Sequence, residues 1–155
     1  MKLHLIRHAE PVDSAPSGKD IERELTEFGR QQAKSLALHL SKRIDNSEVW
    51  CSNAIRTKET LEILQSSVSF GECHFLADLY LCSKSTYLQY LWESNGSKDL
   101  IIIGHNFGIS DLLEYFTDDE ISMQTCEYIC IDLGTLRREE LSKGSGIIID
   151  RYLPK

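Results

Sequence analysis

Leu100-Ile101-Ile102-Ile103-Gly104-His105-Asn106 opens with four consecutive aliphatic residues and closes on a glycine and two polar side chains. An apolar run without polar alternation fits a strand buried on both faces, the kind found in a parallel sheet covered by helices. Gly104 ends the run. Apolar residues at helical spacing from about Phe107 to Phe116 then supply a helix.

Upstream of this stretch the same alternation recurs. Leu3 to Ile6 reads as a short buried strand that runs into a loop lasting to about Glu24. Ala33, Leu36, Ala37, Leu40 and Ile44 share one helical face, which predicts a helix from Thr26, its N-cap, to about Ile44. Glu48 to Cys51 predicts a second strand, and Ser52 is placed to cap a helix bearing Ile55, Leu61 and Leu64. A weaker third strand falls around Phe75, and a helix spans Ser85 to Ser94 with Tyr87, Leu88 and Leu91 on its apolar side. Downstream, Tyr128 to Leu133 and Ile147 to Tyr152 read as paired edge strands separated by a stretch holding Gly134, Gly144 and Gly146. The expectation is an α/β fold: one domain over residues 1–155, a three-layer α/β/α sandwich with a mostly parallel mixed sheet.

Size and charge narrow the function. The 155 residues suit one core, and 24 acids against 17 Lys and Arg give a net charge of −7. An acidic surface disfavours nucleic acid and anionic membrane as partners. The five cysteines are odd in number and lack zinc spacing, and the apolar start is too short for a signal or a span. Reduced thiols and a cytoplasmic location are therefore expected. The oligomeric state is not legible.

In open α/β sheets ligands sit beyond the carboxyl ends of the strands. Arg7-His8 follows the first predicted strand, Ser52 and Arg56 follow the second, and Gly104-His105-Asn106 follows the fourth. Two guanidinium forks match phosphate oxygens, and imidazole serves as nucleophile or donor near neutral pH. Helix N-termini near Ser52 and Phe107 would add backbone donors to the same rim. The set describes a phosphoryl site.

Four motifs in this order, Arg7-His8-Ala9-Glu10, Leu25-Thr26-Glu27-Phe28-Gly29-Arg30, SNAIRTKET over Ser52 to Thr60, and Gly104-His105-Asn106, resemble the histidine phosphatase superfamily. The likeness spans roughly residues 1 to 115 and is closest to the short SixA-type phosphohistidine phosphatases within this phosphoglycerate mutase-like superfamily. It implies that His8 is the nucleophile that forms a phosphohistidine. Arg7, Arg56 and His105 would hold the phosphoryl group, with Ser52 and Asn106 as further candidate ligands. Ala9 stands where glycine is commonest. Asp78, in Leu76-Ala-Asp-Leu-Tyr80, is the candidate proton donor in place of the mid-chain glutamate of mutase-like relatives.

A phosphohistidine leaves more readily than an alkoxide, so a weak or absent acid fits an N–P substrate. The short segment between Leu64 and Asp99 carries no sizeable lid, which suggests an open pocket that admits a protein side chain. The expected activity is a metal-independent histidine phosphatase without cofactor, acting on a phosphorylated protein. A small phosphate ester such as a sugar phosphate or nucleotide is the alternative substrate, and a non-catalytic phosphate-binding module the alternative function. Cys51 and Arg56 are separated by four residues, one fewer than a C-x5-R phosphate loop needs. His4 is expected to be buried with its ring bonded to backbone, and His39, His74, Arg30 and Lys58 are read as structural or solvated. Asp118-Asp119-Glu120 is read as a solvated helix start, and Cys126 with Cys130 as packing residues in one strand.

Overall fold

The computed structural model describes residues 1–155, with ten elements in the predicted alternation. They are β1 (Lys2–Arg7), α1 (Glu27–Leu40), β2 (Ser47–Ser52), α2 (Ile55–Gln65), β3 (Phe70–Leu76), α3 (Lys84–Glu93), β4 (Leu100–Gly104), α4 (Gly108–Thr117), β5 (Tyr128–Asp132) and β6 (Ile147–Tyr152). One sheet in the order β3-β2-β4-β1-β5-β6 holds all six strands. β3, β2, β4 and β1 run parallel, and β5 and β6 are added antiparallel at one edge.

Side-chain alternation along each strand divides the core between the two faces of the sheet. Leu3, Leu5, Leu100 and Ile102 pack with Leu88 and Leu91 of α3 and Leu112, Leu113 and Phe116 of α4. Ile6, Val49, Cys51, Ile101 and Ile103 pack with Ala33, Leu36 and Leu40 of α1 and Leu61 and Leu64 of α2. The predicted three-layer α/β/α sandwich is what forms.

Register carries the functional consequence. Leu3 lies beside Leu100 and Arg7 beside Gly104, so His8 and His105 both emerge one residue beyond a matched pair. Ser52 ends the neighbouring β2, whose Cys51 is level with Ile103. The three segments reach one rim.

Several local expectations are corrected. α1 ends at Leu40, because Arg43 and Ile44 donate their N–H groups back to the Leu40 carbonyl in a closing turn. Ile44 still stays buried under the apolar face. Ser52 belongs to the strand, and Ala54 is the N-cap of α2, with no side-chain cap. Asp118 closes α4 in the left-handed region, so the acidic run follows a helix end rather than opening one. His4 Nδ1 lies 2.9 Å from the Tyr128 hydroxyl, a side-chain partner where a backbone one was expected. Cys126 has φ 59 and precedes β5, although it shares a core cluster with Cys130. No helix is long and apolar enough to cross a membrane.

Candidate active site

The first motif leaves β1 under backbone control. The His8 N–H donates to Gly104 O at 3.1 Å, and Cys126 N–H donates to the carbonyls of Arg7 and His8 at 3.1 and 2.9 Å. Ala9, fully buried, donates its N–H to Thr60 Oγ1 at 3.1 Å. His8 thus sits on a segment fixed by β4, α2 and the loop before β5.

The second motif docks the start of α1 against the first. Thr26 caps the helix by accepting from the Gly29 N–H at 2.9 Å, and its hydroxyl donates to Glu10 Oε2 at 2.6 Å. A Cβ on Gly29 would collide with the Glu10 carbonyl, so only glycine lets the helix approach this closely. The third motif ties in through Glu59, which accepts from the Leu25 N–H at 2.7 Å and pairs with Arg30 at 2.8 Å. Arg30 therefore serves structure, as does Lys58, which stands over the Phe75 ring.

These anchors bring Arg7, His8, Ser52, Arg56 and His105 together. His8 Nδ1 lies 2.8 Å from the Ala9 carbonyl and Nε2 lies 3.3 Å from Arg56 Nε. A carbonyl only accepts and a guanidinium only donates, so the ring is neutral, with its proton on Nδ1 and its lone pair on Nε2. The His105 ring stands 5.1 Å from that of His8, centroid to centroid, tilted by 55°. His105 Nε2 lies 2.7 Å from Ser52 Oγ, and Nδ1 is buried without a protein partner. Arg7 Nη1 donates to Met123 O at 2.8 Å, while its Nε is also buried and unpartnered. Arg7 Nε and His105 Nδ1 are thus both left without a protein partner.

Electrostatics keep both rings uncharged. Burial, with Arg56 and Arg7 nearby, pushes His8 down to about 3, against its hydrogen bond to Ala9. Burial, then the neighbouring His8 and Arg56, pushes His105 down to about 3 as well. Burial lowers Arg7, and Arg56 adds to that shift.

Other candidates are placed elsewhere. Asp78 is exposed and accepts from the Tyr90 hydroxyl at 2.7 Å, with no bond to any of the five residues above. Asn106 is spent on structure, its Nδ2 donating to Met123 O at 2.9 Å and its Oδ1 accepting from Ser110 Oγ at 2.6 Å. Cys51 is fully buried, and burial holds its thiol up at about 12, so it is not a thiolate nucleophile. His39 pairs with Asp150 and stacks on Tyr152, and His74 lies near Glu48, both away from the rim.

Two participants escape the sequence reading. Asp20, in a single 3-10 turn over Asp20–Glu22 of the β1–α1 loop, meets Arg56 with both its backbone carbonyl, at 2.9 Å, and its carboxylate, at 3.0 Å. Tyr80, just after the turn Ala77–Leu79, donates its hydroxyl to the same carboxylate. His8, Arg56 and His105 are 5%, 2% and 1% exposed, and the β1–α1 loop is bonded to Arg56 through Asp20. Neither residue carries a periodicity or motif that marks it in the sequence.

Comparisons with known proteins agree with this fold. The histidine phosphatase superfamily (branch 1) matches residues 3–80. No curated protein matches the chain in sequence. Among solved structures, the chain is similar to one assigned as the phosphohistidine phosphatase SixA of Agrobacterium tumefaciens, at TM-score 0.84 and 20% identity, covering 99% of this chain and 97% of that one. It is equally similar to the protein histidine phosphatase SixA complexed with tungstate, with the same score, identity and coverage. The α-ribazole phosphatase of Shigella flexneri matches at TM-score 0.61 and 17% identity, over 97% of this chain and 100% of that one. At these identities the likeness is one of fold. His105 lies outside the matched span, and only the sheet register brings it to His8.

Proposed function

From a chain that belongs to the histidine phosphatase superfamily, we propose a phosphatase that transfers a phosphoryl group to His8 Nε2 and then to water, acting on phosphohistidine carried by a protein. The observation that carries this reading is the forced tautomer of His8: Nδ1–H is held by Ala9 O, and the Nε2 lone pair points toward Arg56. A neutral imidazole with a directed lone pair is a nucleophile ready at neutral pH.

In the first step Nε2 forms a bond to phosphorus as the bond from phosphorus to the leaving group breaks. Arg56 Nε passes from His8 to a phosphoryl oxygen, and the unpartnered Arg7 Nε and His105 Nδ1 supply further donors. Charge that builds on the oxygens meets preorganised N–H groups, so the mechanism calls for no metal. Water then attacks phosphorus, the P–Nε2 bond breaks, and inorganic phosphate leaves.

The leaving group favours phosphohistidine over an ester. The only carboxylate hydrogen-bonded to the set is Asp20, which Tyr80, Arg23 and Arg56 keep well below the usual carboxylate range and so ionised. An ionised carboxylate gives no proton to a departing alkoxide. A phosphoimidazole protonated on its second nitrogen departs as neutral imidazole and needs none.

Brief exposure to radiolabelled phosphohistidine on a protein is expected to leave acid-labile, base-stable label on the parent and none on His8→Ala. Label that survives acid, or persists in His8→Ala, overturns the nucleophile. Small esters cleaved as fast as protein-borne phosphohistidine overturn the substrate class.

A further inference from the structure

Arg56 spends its donors on two different edges. Nε points at His8 Nε2, at 3.3 Å, while Nη1 and Nη2 both face Asp20, at 2.9 Å to its carbonyl and 3.0 Å to its carboxylate. A long, flexible arginine aims one edge reliably only if the other is fixed, because a free guanidinium samples many rotamers. Asp20 supplies that fixed point at two atoms.

The carboxylate is itself held from three sides. Arg23 Nη1 donates to Oδ1 at 2.8 Å, and Oδ2 takes both Arg56 and the Tyr80 hydroxyl. Arg23 is braced in turn by donation from Nε to Val12 O at 2.6 Å. The Tyr80 ring lies 5.8 Å from the Arg56 guanidinium carbon and meets the His105 ring edge-on at 5.6 Å. Loop tip, Tyr80 and both catalytic histidines therefore form one connected network around Arg56.

We infer that Asp20 and Tyr80 are positioning residues that hold the Nη edge of Arg56, so that its Nε edge stays aimed at the phosphoryl group on His8. The inference rests on the proposed phosphatase reading and adds residues that touch no substrate. When the phosphoryl group enters between Arg56 and His8, only Nε changes partner. The Nη edge remains on Asp20 throughout, and the arginine needs no reorientation in the transition state.

Steady-state rates on N-phosphohistidine and para-nitrophenyl phosphate, with melting temperature as a fold control, test this. Asp20→Ala is expected to lower kcat/KM about ten- to a hundredfold, mostly through kcat, as for loss of a preorganised donor's orientation. Tyr80→Phe, which removes one hydroxyl, loses a few-fold in the same direction. In an Arg56→Ala background neither change costs anything further, since residues that act through a common partner are not additive. Asp20→Ala with parental or higher kcat/KM overturns the inference, as does a full further loss in the Arg56→Ala background. If Asp20→Ala does not fold, Tyr80→Phe and Asp20→Asn carry the same background comparison. His8→Ala and Arg56→Ala are the controls for the site itself: activity kept in both removes the phosphatase reading and the role of Asp20 with it. Activity lost in both but kept in Asp20→Ala removes the role of Asp20 alone.

Discussion

The Ser52 hydroxyl lies 2.7 Å from Nε2 of His105 and fixes that ring from the side opposite its unpartnered Nδ1. The contact joins the end of β2 to the residue after β4 in a position closed to solvent. The same hydroxyl accepts from the Ala54 N–H at 3.4 Å, while α2 itself has no side-chain cap.

Ser52→Ala should therefore cost rate more than stability. One net hydrogen bond is about 1 kcal/mol, which corresponds to roughly a five- to tenfold lower kcat/KM. Kinetics beside a melting curve check it. A drop in melting temperature with no change in rate would make the serine purely structural.

Arg56→Ala is expected to lose at least about a hundredfold in kcat, the scale for removing one preorganised charge donor. Arg56→Lys should rescue little, because one ammonium cannot face His8 and Asp20 on two edges at once. Parental rates in the lysine variant would show that charge alone suffices.

Acid should destabilise the protein before it titrates the His8 ring. His4, His8 and His105 have folded values lowered to about 4, 3 and 3 against about 6.5 unfolded, burial being the first cause in each. The neutral form is favoured on folding, so this stability is complete above about 6.5 and is lost as pH falls toward 3–4. Melting temperature should decline from pH 7 to pH 4.5. The NMR titrations of the three rings should show no midpoint between pH 5 and pH 8, and a midpoint there for His8 would contradict its burial.

Asp78→Asn should leave kcat/KM within about twofold, because an exposed carboxylate bonded to Tyr90 is in the range of ordinary surface substitutions. Treatment with iodoacetamide should likewise spare activity and leave Cys51 unmodified on mass analysis, since the thiol is buried and protonated. A tenfold loss in either experiment would restore a role to that residue. Dialysis against EDTA is expected to leave the rate unchanged, and a loss reversed by a divalent cation would overturn the metal-free mechanism.

Gly29→Ala should destabilise the fold by about 1–3 kcal/mol, the usual cost of forcing atoms into packed space, and should lower activity by displacing Glu10 and the His8 segment. A fully stable and active variant would show that the α1 approach is not needed.

The amino-acid sequence by itself determined the alternation of strands and helices, the mixed, mostly parallel sheet with two paired strands at one edge, and the placing of Arg7, His8, Arg56 and His105 just beyond the ends of its strands. The physical reason is periodicity: an apolar run specifies a buried strand, and residues just past parallel strands must share a rim. The tertiary structure alone decided that Ser52 orients His105, that Asn106 and Asp78 are engaged elsewhere, and that Asp20 and Tyr80 enclose Arg56. Those contacts join a loop tip and turn residues to distant elements. Aperiodic segments carry no signal of which partner they will meet, since the meeting point is set by how the whole chain packs.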